Sequence, residues 1–85
     1  MLLRKWNYKK HEYEPISVPD EWDCKWYDTD MSAIVNCCQC GKETTVGKSY
    51  GSLEIHTLAG FGYMVCEECH IVERDKDLAN RRKIK

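Results

Sequence analysis

The sequence predicts a small α+β domain stapled by one metal ion. Three observations predict it. Two C-x-x-C pairs, Cys37–Cys40 and Cys66–Cys69, stand at the ends of a β-rich stretch. Alternating apolar and polar residues mark strands before the second pair, and a helical pattern follows it. The chain is also short, and a core this small seldom supplies more than ~3–5 kcal/mol unaided.

The cysteines come first because the rest is arranged around them. Each pair can curl so that both sulfurs point at one ion, and tetrahedral zinc takes four such donors at about 2.3 Å. Cys37, Cys40, Cys66 and Cys69 are therefore the expected ligands of one structural Zn2+, the commoner occupant of a four-thiolate site. Gly41 follows the first pair and permits the tight turn of a knuckle, because glycine tolerates positive φ. Cys38 with Cys40 would make a C-x-C pair, which suits this geometry less well, so Cys38 is read as a bystander. Cys24 lies far from both pairs and is expected to be a buried or free thiol.

Six cysteines in 85 residues would also suit a disulfide framework in a secreted chain. Met1–Trp6 shows neither an apolar h-region nor a small-residue cleavage site, so the expectation is a reducing cytoplasm and a metal staple. No apolar run approaches the ~18 residues of a membrane span. Formal net charge is −1, and four thiolates on one divalent ion take it to about −3. That balance lacks the global basicity of a nucleic-acid binder.

Residues 1–35 read as an extended or β segment that packs on or flanks the finger. Trp6 and Tyr8 alternate with polar neighbours, and Ile16 and Val18 alternate between Pro15 and Pro19. Arg4, Lys5, Lys9 and Lys10 make the start locally basic, but Glu12 and Glu14 interrupt the run. Residues 20–30 then combine five acids with Trp22, Trp26 and Tyr27, an acidic aromatic patch that suits docking of a basic protein partner. Trp22 and Trp26, four apart, would share one face of a helical turn.

Residues 36–82 form the expected finger. Thr44–Val46 suit a strand, and Tyr50–Thr57 another, with Leu53 and Ile55 on one face and Glu54 and His56 on the other. Gly60 and Gly62 mark a turn or bulge, and Tyr63–Val65 leads into Cys66. A helix follows over residues 67–80. Glu67 and Glu68 complement its positive end, and Ile71, Val72, Leu78 and Ala79 supply a narrow apolar stripe. Arg81, Arg82 and the basic tail 83–85 lie at its end and are candidate contacts to phosphate.

Knuckle, β-hairpin and helix, in that order, resemble the treble-clef class of zinc fingers, with the zinc ribbon as close relative. That class serves nucleases, protein-binding modules and ribosomal proteins alike. Leu53-Glu54-Ile55-His56, followed by Val65-Cys66-Glu67-Glu68-Cys69-His70, resembles parts of HNH endonucleases. The resemblance implies a water-activating role for His56 and a divalent-metal role for His70. Thr57 follows His56 where that family carries a second acid or histidine, and no asparagine lies between His56 and His70. Metal-assisted cleavage then lacks a complete site, and the expectation is no enzyme activity. Leu3–Tyr8 and Val35–Lys42 also resemble the style of small phage and prophage zinc-finger proteins, which implies action on a host macromolecule.

The expected function is a non-enzymatic, zinc-stabilised binding module with a protein partner at Trp22, Trp26 and Tyr27. The alternatives are a nucleic-acid-binding finger and a degenerate HNH-like nuclease. Neither a membrane nor a small-molecule substrate is expected.

Overall fold

A computed structural model describes residues 1–83, with side chains to Asn80. Two sheets and one helix make the fold. Leu2–Asn7 (β1) and Glu12–Ser17 (β2) form an antiparallel hairpin. Its turn is built by Asn7, whose side-chain oxygen accepts the amides of Lys9 and Lys10 at 2.9 and 3.1 Å. His11 closes it in the left-handed region at φ 53°.

Ile34–Asn36 (β3) and Glu43–Thr45 (β4) form a second, smaller hairpin, whose loop is the first cysteine pair. A 3-10 turn over Val46–Lys48 leads from it to Tyr50–His56 (β5) and Gly62–Val65 (β6), and the helix α1 spans Glu67–Lys83. Val46 thus lies in the turn and not in a strand, buried there.

The large sheet runs in the order β2-β1-β5-β6. The amino-terminal hairpin is therefore half of the sheet, joined through Arg4↔His56 and Lys5↔Ile55. One face carries the core: Leu3, Ile55 and Val65 meet Val18, Cys37, Cys38 and Cys66, with Trp22 and Cys24 packed alongside. The segment from Asp20 to Asp30 is a turn followed by irregular, bent backbone, so Trp22 and Trp26 do not share a helical face.

Two expectations about facing are corrected. The β5–β6 register shifts between Gly51 and His56, and this irregularity breaks strict alternation. Glu54 and Ile55 are both buried, while Leu53 is exposed. Gly62 makes the close approach possible, since a Cβ there would stand 2.5 Å from the Ser52 carbonyl oxygen. Along α1, Ile71, Val72 and Leu78 are exposed, and among the described residues the buried one is Glu73, 1 % accessible. The helix docks through a carboxylate and not through an apolar stripe.

Candidate metal centre

The knuckle is held from both sides before any metal is considered. The Cys37 amide donates to the Lys42 carbonyl at 2.9 Å, and the Gly41 amide to the Cys37 carbonyl at 2.8 Å. Asn36 ties the loop down, donating from Nδ2 to the Gly41 carbonyl at 3.0 Å and accepting the Asp23 amide at 2.7 Å. Gly41 sits at φ 79°, and a Cβ there would collide with the Trp22 ring. Glycine thus supplies both the turn and room for the tryptophan.

The second pair comes from the β6–α1 junction. Cys66 precedes the helix and Cys69 lies in its first turn, three residues on. The His70 amide donates to the Cys66 carbonyl at 2.9 Å, so the helical turn aims both sulfurs to one side.

Cys37, Cys40, Cys66 and Cys69 bring their sulfurs within 4.8 Å of one another, and Cys40 Sγ lies 3.8 Å from Cys66 Sγ. Zinc–sulfur bonds of about 2.3 Å in a tetrahedron place sulfurs about 3.8 Å apart. A disulfide needs about 2.05 Å, and all six cysteines are free thiols. The four residues fit a single thiophilic ion.

Local electrostatics set Cys37 apart from the other shifted thiols. Burial pushes the Cys37 thiol up, but the backbone amides of Cys66, Cys40 and Gln39 outweigh it and hold the thiol below its ordinary range. Burial raises Cys40 and Cys69, each also facing its neighbouring sulfurs. A bound divalent cation would hold these two as thiolates. Cys38 turns into the core instead, where burial and then Cys24 raise it strongly. Cys24 is raised as well, by burial.

The remaining expected residues scatter. Trp22 is half-buried against the core and Gly41, a packing position. Trp26 and Tyr27 are exposed, 47 % and 65 %. Several acids of the segment are engaged in building it: Asp28 accepts the Asp30 amide at 2.9 Å, Asp30 accepts Ser32, and Asp23 pairs with Lys25. The side chains of Arg81 and Arg82, and the tail beyond Lys83, lie outside the described residues.

His56 and His70 stand at opposite ends of β5. His70 stacks on Tyr50 with ring centroids 4.3 Å apart, and its buried Nδ1 has no hydrogen-bond partner among the described residues. His56 ends the strand against Tyr13. A strand of this length spans roughly 20 Å at about 3.3 Å per residue, so the two rings do not form one ββα metal site.

Sequence reasoning missed Phe61 and Glu73. Phe61 stacks on Trp26, centroids 5.2 Å apart, and its place beside two glycines gave no sign of this. Glu73 accepts Gln39 Nε2 at 2.6 Å, Ser52 Oγ at 2.7 Å and the Leu53 amide at 2.8 Å, so it clasps knuckle, strand and helix. Buried Glu54 stands beside it, paired with Lys76 at 3.3 Å and Lys5 at 3.9 Å.

No helix among the described residues is long and apolar enough to cross a membrane. No family model, curated protein or solved structure matches the chain, so the phage and HNH resemblances rest on its own residues alone.

Proposed function

We propose that this protein is a non-enzymatic, treble-clef-like binding module. One structural Zn2+ on Cys37, Cys40, Cys66 and Cys69 stabilises it, and a protein partner docks on the patch of Trp26, Tyr27 and Phe61. The four-sulfur geometry supports a closed site, in which protein ligands fill every position and leave none for substrate. The separation of His56 from His70 supports the non-enzymatic reading.

One observation carries the docking surface. Trp26 and Phe61 stack at 5.2 Å while remaining 47 % and 56 % exposed. Large rings that are already ordered lose little entropy when covered, which is why aromatics dominate interface hot spots. Carboxylates of Asp20, Glu21, Asp28 and Asp30 belong to the same turn segment, so the fitting partner is a basic segment with an apolar anchor.

The test is capture of a partner by zinc-loaded protein, compared with Trp26→Ala and Phe61→Ala. Loss of about 30-fold in affinity, at unchanged zinc content and circular dichroism, supports the reading. Unchanged affinity in both variants overturns it.

A further inference from the structure

The face of the large sheet opposite the core carries a line of rings that the metal centre and the Trp26 patch do not use. Strand pairing places Arg4 beside His56 on β5 and Trp6 beside Tyr13 on β2. The rings touch in sequence. His11 lies 6.4 Å from Trp6, Trp6 lies 5.0 Å from Tyr13, and Tyr13 lies 5.8 Å from His56, all edge-on. Arg4 lays its guanidinium 4.0 Å over the Tyr13 ring. Tyr13 also hydrogen-bonds His56 Nδ1 at 3.2 Å, which fixes both rings.

The same alternation sorts the charges. In sequence, Glu12 and Glu14 interrupt the basic run; in the sheet, they point away from Tyr13. Glu14 bonds Asn7 at 3.0 Å and Lys10 at 3.2 Å on the reverse side. Arg4 donates to the Thr57 carbonyl at 3.1 and 2.7 Å, so its hydrogen bonds go to neutral oxygens and its charge stays on the ring-bearing face. Lys9 is exposed at the hairpin tip beside His11. A cavity of about 390 Å³ opens next to Arg4 and His56, with Leu2, Pro15 and Leu58 as apolar walls.

We infer that this sheet face binds single-stranded nucleic acid of a few nucleotides. Bases stack on the Trp6, Tyr13 and His56 surface, while Arg4 and Lys9 meet phosphates. Flat rings at fixed spacing suit unpaired bases, because every base has a stacking face and a duplex hides it. Two phosphate contacts predict a shallow salt dependence, a log–log slope of about −1.4. This matches a chain whose overall charge is not basic. The inference goes beyond the proposed function and uses a different surface.

The experiment titrates zinc-loaded full-length protein into fluorescein-labelled oligo-dT and oligo-rU of about ten nucleotides, with a duplex of equal length and an oligo-glutamate peptide as comparators. Expected are saturable binding to the single strands, weaker binding to the duplex, and none to oligo-glutamate. Tyr13→Ala should weaken binding about tenfold or more, Arg4→Gln should flatten the salt slope, and Trp26→Ala should change neither. Amide shift changes in the unmutated protein should centre on Arg4, Trp6, Tyr13 and His56, a reading that stands even if Tyr13→Ala fails to fold. The inference is overturned by absence of saturable binding at low salt, by a preference for duplex, by equal binding of oligo-glutamate, or by shifts confined to other surfaces.

Discussion

Glu73 Oε1 accepts the Leu53 amide at 2.8 Å, and this bond joins the helix to the irregular stretch of β5. Where the β5–β6 register shifts, the strand loses regular pairing and its amides need other acceptors. Ser52 Oγ takes the Glu54 and Ile55 amides at 3.1 and 2.9 Å, then donates to Glu73. The carboxylate completes the chain of donors and reaches Gln39 in the knuckle. A buried acceptor-only group thus does what an apolar stripe does in most helices.

Removing it should be costly. Glu73→Ala leaves three buried or half-buried donors without an acceptor, and we expect a loss of about 3–5 kcal/mol. Glu73→Gln keeps the shape and one acceptor oxygen but turns an amide N–H toward donors, for a loss of about 1–3 kcal/mol. Urea unfolding of the zinc-loaded protein measures both. Stability unchanged in Glu73→Ala would show that water replaces the carboxylate without penalty.

What the sequence revealed follows from which signals are local. The C-x-x-C spacing and Gly41 are read within six residues, and the structure gathers those four sulfurs. The alternation at Trp6 and Tyr8 and at Tyr50–Thr57 marked strands, although Tyr8 lies in the turn after β1 and the irregular stretch of β5 breaks the second pattern. That β1 pairs with β5 depends on contacts between residues some fifty positions apart, such as Arg4 with His56, and no local pattern encodes it. The buried glutamates were hidden for a different reason. Glu54 and Glu73 look like solvated charges until a register shift and a knuckle glutamine supply their partners. Phe61 was hidden because its stacking partner, Trp26, lies in another loop.

The metal centre predicts a difference between Cys38 and Cys40, two positions apart in the knuckle. Cys40→Ser should release the ion and unfold residues 36–80, as should a strong chelator, because metal binding supplies of order 10 kcal/mol of folding energy in small fingers. Cys38→Ala should retain one ion per chain, since its sulfur faces Cys24 and not the cluster. Elemental analysis and amide dispersion in NMR spectra measure both. Native dispersion in the metal-free protein, or loss of metal from Cys38→Ala alone, would contradict the assignment.

His56 predicts a pH dependence on the acid side. Burial lowers its pKa, Arg4 lowers it further, and Glu73 opposes them. The folded protein therefore takes up this proton at lower pH than the unfolded chain, whose histidines titrate near about 6.5. Its contribution is complete above that value and is lost as pH falls through the folded pKa. Thiolate ligands also take up protons in acid and let the ion go, so the wild-type melting curve alone mixes two effects. His56→Asn separates them: between pH 7.5 and pH 5.5 it should lose less stability than the wild type. An NMR titration should place the His56 midpoint below the value of about 6.5 for an unfolded-chain histidine. A His56 midpoint at or above that value, or equal pH slopes in the two proteins, would remove burial beside Arg4 as the cause.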